Sequence, residues 1–209
     1  VANGIVSPTG YTPATAFDLY AYDMGEEVAG VSTNTDVMVF HGATDAPVVD
    51  IKEVGAGAGT IIDDLAYGSF SGYLALPTAD YSLQVRDAHG ITTVAQYDAP
   101  LATLGLNGAA LVALASGFLN PVANSNGPAF GIFVALPAGG ALIALPATAI
   151  STARVQVIHN AADAAASTVD VWLNSTKLID DFQFRTATPF IDAPAGESIT
   201  ISIKDQNST

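Results

Sequence analysis

The chain has 209 residues, of which 20 are acidic and 6 are basic, and its formal net charge is -14. Nucleic acid is excluded as a natural partner, because binding it depends on clustered Lys and Arg, and the six basic residues are scattered along the sequence. Half of the residues are hydrophobic and 12% are charged, so the composition is that of a folded protein with a large core.

Strand signals dominate the sequence, because apolar residues either alternate with polar ones or form short runs between turn residues. In chain order, the predicted strands are Val37–Phe40, Tyr81–Arg86, Leu111–Leu114, Phe130–Leu136, Val155–Ile158, Val169–Leu173 and Ile199–Lys204. The second and the last alternate and are expected to be half-buried, whereas the others are expected to be more fully buried. No segment has the period of an amphipathic helix, so the predicted fold class is all-β, in antiparallel sandwiches.

One long stretch, between Asp98 and Arg154, contains no Asp, Glu, Lys or Arg. Its length would suit a membrane span, but prolines and glycine pairs break it into runs that are too short for a spanning helix and suitable for strands. We therefore expect no transmembrane segment here.

The sequence repeats itself in two places. The first match carries the same polar residues in both copies, namely His41, Asp45 and Asp50 in one and His159, Asp163 and Asp170 in the other. It continues through the pairs Asp63-Asp64 and Asp180-Asp181, and then through Val85-Arg86-Asp87 and Ile203-Lys204-Asp205. In the second match, residues 1 to about 23 align without a gap onto residues 114 to about 136.

These matches predict three parts of a tandem array. Residues 1–30 would be the C-terminal part of one β-sandwich repeat, residues 31–150 a complete repeat, and residues 151–209 the N-terminal part of a further repeat. The counterpart of residues 92–113 is missing from the two partial repeats. Their unpaired backbone then needs strands from elsewhere, either within one chain or by self-association between chains.

The two polar motifs resemble a known family. His41–Pro47 with Val49–Ile51, and the copy of both in the second half of the chain, resemble the opening motif of the bacterial domain of unknown function 4397. Pro77–Tyr81 and Pro194–Glu197 resemble its later Pro-Ala-Gly turn, whereas the alanines at positions 164–166 depart from its usual Ala-Pro. The resemblance implies exported immunoglobulin-like β-sandwiches, often in tandem, in secreted or cell-surface bacterial proteins, and it implies no catalytic residue.

The two histidines of the motif close equivalent strands, each four residues before an aspartate. An imidazole near a carboxylate can act as a base or a metal ligand. A histidine at the end of a strand can also donate its ring N–H to a loop carbonyl and so hold the turn that follows. We favour this structural role for His41, Asp45, Asp50, His159, Asp163 and Asp170, because no further His or Glu lies at ligand spacing.

Two other features offer ligand sites. The adjacent carboxylates of Asp63-Asp64 and Asp180-Asp181 could bind calcium, although alternation predicts that one Asp of each pair faces solvent and the other caps a turn. Trp172 could stack on a sugar ring or could be the buried anchor of a sandwich, and we favour the anchor.

No residue pattern indicates catalysis. Cysteine is absent, which excludes thiolate nucleophiles and disulfides. Phe70 stands where a serine nucleophile elbow would need Ser, and the glycines of residues 55–59 lack the Lys of a phosphate loop and are expected to form a flexible hairpin connection. We therefore expect a non-enzymatic module of a surface or filament protein that needs no cofactor, with a carbohydrate-binding or adhesin module of an exported enzyme as the alternative.

Overall fold

The computed structural model describes residues 1–7, 9–90, 92–150, 152–173, 176–195, 199–206 and 208. Gly196 and Glu197, which belong to the second predicted Pro-Ala-Gly turn, lie outside these residues. The chain divides into two compact units, residues 1–149 and residues 150–209.

The described residues of the first unit form twelve strands, β1 to β12. Their bounds are Ala2–Asn3, Asp18–Leu19, Asn34–His41, Val49–Glu53, Gly59–Leu65, Phe70–Pro77, Asp80–Asp87, Thr93–Pro100, Ala110–Ser116, Gly131–Ala135, Ile143–Ala144 and Ala147–Thr148. The second unit contains β13 to β17, whose bounds are Thr152–Val155, Thr168–Leu173, Thr176–Gln183, Ile191–Pro194 and Ile201–Asp205, and a 3-10 helix over Ala164–Ala166. There is no α-helix in the described part of the chain, and the all-β prediction is confirmed.

Two five-stranded sheets form the body of the first unit. One has the order β11-β10-β9-β3-β6 and the other the order β12-β8-β7-β4-β5. Strands β3 and β9 are parallel, with Val37 opposite Leu111 and His41 opposite Ala115, whereas the other neighbours in these two sheets are antiparallel. β9 therefore lies in the middle of its sheet, beside the strand that carries His41.

The core of the first unit lies between these sheets. Ile51 and Val85 from one sheet and Leu111 and Val134 from the other are all buried. Each such side chain contributes about 1.5–3 kcal/mol when it leaves water. The uncharged stretch from residue 99 to residue 153 supplies much of this core through β9 and β10, as its short apolar runs predict. In the described residues, no helix has the length and the apolar character that crossing a bilayer would demand.

The N-terminal segment packs against the sheet that contains β3 and β6. Its strands β1 and β2 form a small antiparallel pair of their own. Tyr20 lies against Phe40, with ring centroids 5.2 Å apart, and Tyr22 lies against Phe70 at 5.4 Å. These aromatic contacts cover the outer face of the sandwich at Phe40, which has no exposed area.

The second unit has two small sheets, β13-β16 and β15-β14-β17. Its core centres on three buried residues, Val169, Val171 and Phe182. The predicted strand at Val155–Ile158 is wrong in part, because β13 ends at Val155 and Ile158 is 64% exposed. Ile201 and Ile203 are also exposed rather than half-buried. The residues at their aligned positions in the first unit, Leu83 and Val85, pack in the core with side chains of β9 and β10, and the second unit has no counterpart of these strands in its described residues.

Candidate functional site

The candidate site is the histidine–aspartate motif, which occurs as His41, Asp45 and Asp50 in the first unit and as His159, Asp163 and Asp170 in the second. The backbone carbonyl of each histidine accepts a hydrogen bond from a tight turn. In the first unit, Gly68 N–H donates to the His41 carbonyl over 2.8 Å, and in the second, Arg185 N–H donates to the His159 carbonyl over 2.8 Å. Gly68 and Arg185 both have positive φ, at 76° and 63°, so the turn has the same handedness in both units.

His41 is almost completely buried, with 1% of its surface exposed. Its Nε2 lies 2.9 Å from the carbonyl oxygen of Pro47, so Nε2 carries the proton and donates it to this loop oxygen. Burial lowers the pKa of His41, against the opposing effect of the Pro47 hydrogen bond. The ring is therefore neutral at physiological pH and spans the turn between β3 and β4.

His159 repeats this geometry. Its Nε2 lies 2.8 Å from the carbonyl oxygen of Ala166, and its Nδ1 lies 3.3 Å from the N–H of Ala161. The loop that it holds contains the 3-10 helix, whose N-cap is Asp163. Ala164, Ala165 and Ala166 form this short helix.

Asp45 and Asp163 occupy aligned positions but make different contacts. Asp45 accepts hydrogen bonds from the N–H groups of Leu119 and Asn120, both at 2.9 Å, so it fixes the loop between β9 and β10. Asp163 is exposed and accepts from the N–H of Ala165 at 2.9 Å. Asp45 therefore holds a second loop in the first unit, whereas Asp163 caps only its own turn in the second unit.

Asp50 is buried, and its Oδ1 accepts the backbone N–H of Asp64 over 2.8 Å. Asp64 has a φ of 51°, and the register between β4 and β5 shifts next to it. This bulge places both Asp63 and Asp64 on the exposed side, so the prediction that they face opposite ways is wrong. The negative charge of Asp50, followed by burial and the charge of Asp64, raises the pKa of Asp63.

Asp170 repeats this contact with a cation added. Its Oδ1 accepts the N–H of Asp181 over 3.0 Å, and Asp181 has a φ of 49°. Its Oδ2 accepts from the Ser208 hydroxyl at 2.7 Å and lies 2.9 Å from Lys177 Nζ. The hydrogen bonds from Ser208, Lys177 and Asp181 hold the pKa of Asp170 far below its usual range.

The carboxylates of Asp170, Asp180 and Asp181 come within 4.8 Å of one another. This is the one place in the described chain where three potential metal ligands gather, and it coincides with one of the Asp pairs for which calcium was considered. Lys177 Nζ lies 2.8 Å from Asp180 and 2.9 Å from Asp170. The ammonium therefore already supplies the positive charge that a calcium ion would bring, and calcium binding stays an untested alternative.

Trp172 lies on the opposite face of β14 from the buried Val171, so the prediction of a buried anchor is wrong. Its indole N–H donates to the Ser208 hydroxyl over 2.9 Å. Lys204 Nζ lies 3.7 Å from the ring centroid, which is a close cation–π contact. One face of the indole is thus occupied by a side chain of its own unit.

Glu53 is a site residue that the sequence reasoning missed. It is 2% exposed, and its carboxylate accepts the N–H groups of Gly55, Ala56 and Ala58 at 2.6, 2.7 and 3.0 Å. Burial raises its pKa, but the hydrogen bonds from this loop outweigh burial and lower it overall. The glycine-rich hairpin is therefore wrapped around an acid instead of being a free connection. An acid two residues before such a run was the available signal.

An apolar cavity of about 300 Å³ lies between the two sheets of the first unit. Its walls are almost entirely apolar, with Ile51, Leu83 and Leu111 among them, and Glu53 lies at its edge. The Glu53 carboxylate at its edge accepts hydrogen bonds from its own loop.

Comparison with known proteins adds one finding. The family model described as Domain of unknown function (DUF4397) matches residues 33–121. This range runs from the start of β3 to just after β9 and includes His41, Asp45 and Asp50. No curated protein and no solved structure matches the chain.

Proposed function

Residues 33–121 form a domain of the DUF4397 family, and from this premise we propose that the chain is a non-catalytic structural or adhesive β-sandwich module of a bacterial surface or filament protein. The module is exported and works as one of several tandem immunoglobulin-like copies. Its neighbours are further copies of the same kind, contributed by the same chain or by another.

The observation that carries this proposal is how the polar groups of the motif are used. The ring proton of His41, both carboxylate oxygens of Asp45 and the carboxylate of Asp50 are all directed at backbone groups of the same unit. A catalytic acid or base needs a face that is open to substrate. These groups hold loops, which is the role that a scaffold requires.

The repetition of this arrangement supports the same view. His159 and Asp170 make the same loop and bulge contacts in the second unit as His41 and Asp50 make in the first. A catalytic centre has no need of two copies with different surroundings, whereas a tandem scaffold uses the same internal brace in every copy.

The carbohydrate-binding alternative has less support. It would use Trp172 as a stacking platform, and Lys204 already lies 3.7 Å from the ring centroid. Tyr81, a second aromatic that such a surface could use, donates its hydroxyl to the Pro77 carbonyl. We therefore retain glycan binding only as an outcome to be tested on a glycan array, with Trp172→Ala as the matched variant.

The proposal is tested by labelling cells of the source organism with an antibody raised against this chain. We expect intact cells to be labelled as strongly as permeabilised cells. Labelling that requires permeabilisation would overturn the surface assignment. The non-catalytic part is tested with ester, glycoside and phosphoester substrates, on which His41→Gln and the unaltered chain should be equally inactive. Turnover that is lost in a folded His41→Gln variant would overturn it.

A further inference from the structure

The N-terminal hairpin, residues 1–22, has the pairing of the hairpin that closes the first sandwich. In β1 and β2, Ala2 lies opposite Leu19. At the aligned positions of β9 and β10, Ala115 lies opposite Ile132. The same isolated parallel bridge follows in each case, between residues 5 and 16 and between residues 118 and 129.

A glycine at the start of each loop supports this equivalence. Gly4 and Gly117 have φ values of +103° and +86°. A Cβ at Gly4 would lie 2.4 Å from the Ala16 carbonyl oxygen, and a Cβ at Gly117 would lie 2.3 Å from that of Ala129. Both positions thus require glycine for the same two reasons, conformation and close approach.

The two hairpins differ in what covers their inner faces. Ile132 belongs to the core and is 8% exposed, whereas Leu19, at the aligned position, is 71% exposed. The outer face of the N-terminal hairpin is engaged, since Asn3 Nδ2 donates to the Gly42 carbonyl over 2.8 Å and Tyr20 packs on Phe40. The hairpin is therefore docked by its outer face and presents an uncovered core face.

The second unit has the converse arrangement. Its strands β13 and β17 correspond to β3 and β7, but β13 pairs only with β16 and β17 only with β14 in the described residues. An open groove of about 260 Å³ is lined by the segment after β13 and by β14, β15 and β17, with apolar side chains that include Val157, Phe182 and Ile203. Ile203 is 59% exposed, although Val85 at the aligned position is 4% exposed.

We propose that the N-terminal hairpin of one copy of this chain packs against the second unit of another copy, in the way that the end of β9 and β10 pack in the first unit. In this assembly β1 lies parallel to the segment that follows β13, beside Ile158 and His159, and Leu19 enters the apolar groove beside Ile203. The strand addition covers apolar surface on both partners and supplies hydrogen-bond partners to an open sheet edge. The inference rests on the proposed function and names the partner as the chain itself.

The first unit specifies the register of this contact. There His41 lies opposite Ala115, and Gly42 N–H donates to the Ala115 carbonyl over 2.9 Å. The equivalent contacts place His159 opposite Ala2 of the other copy. They also direct Asn160 N–H to the Ala2 carbonyl.

The exposed Asp163 completes the register. In the first unit, Asp45 accepts the N–H groups of Leu119 and Asn120. The aligned donors in the N-terminal hairpin are the N–H groups of Val6 and Ser7. Asp163, whose carboxylate is exposed, is the acceptor that the assembly would provide for them.

The contact joins two different surfaces, so each added copy leaves one hairpin and one second unit uncovered. Such head-to-tail contacts extend into an open chain unless the rotation between copies closes a ring. The assembly is therefore a filament or a ring. The average number of copies in it should increase with protein concentration.

Cysteine cross-linking tests the register directly, because the chain has no cysteine of its own. Val1→Cys and Ile158→Cys are made as separate single variants, at residues that are 41% and 64% exposed. Their aligned residues Leu114 and Phe40 lie opposite each other in the first unit, at the spacing that a disulfide can bridge. We expect the oxidised mixture to form a covalent dimer of one variant with the other.

The control mixture combines Ile158→Cys with Val28→Cys, which is 70% exposed and lies outside the hairpin. It should give about tenfold less cross-linked dimer, because its thiols are not held together at high effective concentration. Equal cross-linking in both mixtures would overturn the proposal. A Val1→Cys, Ile158→Cys double variant that cross-links within one chain, while the mixture of single variants does not, would also overturn it.

Sedimentation over a range of concentrations provides the second test. Leu19→Glu places a charge where an apolar side chain should be buried, so it should raise the dissociation constant of self-association by about tenfold or more. The control is Val122→Glu, at a residue that is 81% exposed and outside the hairpin, and it should assemble as the unaltered chain does. Leu19 is exposed in the single chain, so the variant should keep the unfolding transition of the first unit.

The failures of the two proposals are distinguishable. If the chain stays monomeric at every concentration but the antibody labels intact cells, this inference is wrong and the proposed surface function is retained. A chain that assembles in the proposed register but is labelled only in permeabilised cells would remove the surface assignment alone.

Discussion

The buried carboxylate of Asp50 accepts the backbone N–H of Asp64 over 2.8 Å, at the point where β5 bulges. The second unit makes the same contact between Asp170 and Asp181. A left-handed residue in a strand is costly unless its neighbours hold it. The aspartate on the adjacent strand supplies that hold, so this side chain and this bulge form one structural element.

Removing this acceptor should destabilise the first unit. We expect Asp50→Ala to lower the free energy of unfolding by about 1–3 kcal/mol, because it leaves the Asp64 N–H without its charged partner. Chemical denaturation of the two proteins measures the difference. Asp63→Ala is the matched control, and it should be neutral or slightly stabilising, since the charge of Asp50 already disfavours the ionised form of Asp63. Equal losses in both variants would contradict this account.

The wrapped Glu53 predicts a pH dependence. Its pKa is lower in the folded state than in the unfolded state, because three backbone N–H groups stabilise the carboxylate more than burial disfavours it. The stability it contributes is therefore complete above its unfolded pKa and is lost as the pH falls through its folded pKa.

We expect Glu53→Gln to lower the free energy of unfolding at neutral pH by about 1–3 kcal/mol and to weaken the acid dependence of the unfolding temperature. Thermal unfolding measures both effects, over a pH range from neutral to about 3. This range includes the reference pKa of a glutamate. A variant whose acid dependence equals that of the unaltered chain would show that Glu53 does not titrate in this way.

The position of Lys177 indicates how the second unit should respond to calcium. Its ammonium lies 2.9 Å from Asp170 and 2.8 Å from Asp180, so calcium would have to displace it. We expect added calcium to leave the unfolding transition of the second unit unchanged. Lys177→Met should destabilise that unit, because the fully buried Asp170 loses its cation. A rise in unfolding temperature when calcium is added to the unaltered chain would favour a calcium site instead.

The paired glycines predict two separable effects. Gly117→Ala should lower the stability of the first unit by at least about 1 kcal/mol, since the new Cβ would clash with the Ala129 carbonyl and φ is positive. Gly4→Ala should weaken self-association more than it weakens the first unit, because Gly4 belongs to the N-terminal hairpin. Gly25→Ala meets no atom within 4 Å and is the control for both. Identical effects of Gly4→Ala and Gly25→Ala on self-association would contradict the assigned role of Gly4.

Strands that depend on local pattern alone are predicted well from the sequence. The alternation of Tyr81–Arg86 lies inside β7 and the apolar run Leu111–Leu114 inside β9. The strands are therefore placed correctly, but Gln84 and Arg86 are buried where alternation predicts an open face. Alternation fails at Asp63-Asp64, since it takes every residue to have extended φ. Aspartate tolerates the left-handed region better than most residues, so the doubled Asp could have indicated a bulge.

Burial is predicted less well where it depends on other segments. Ile201 and Ile203 have the pattern of a half-buried strand, but they are exposed because the described residues of the second unit contain no strand that covers them. The same holds for Ile158. Trp172 also differs from expectation, because Val171 takes the core position on β14 and turns its neighbour outward. A local sequence pattern indicates which face of a strand can be buried. It does not indicate whether another strand is present to cover that face.

The parallel pairing of β3 with β9 has a consequence for biosynthesis. The residues that pair, such as Val37 with Leu111, lie far apart in the chain, so closing this sheet carries a large loop entropy and should be slow. On the ribosome, β3 emerges well before β9. Until β9 is synthesised, the apolar edge of β3 has no strand beside it. We therefore expect nascent chains that have not yet released residues 110–116 to be the species that holdase chaperones bind most.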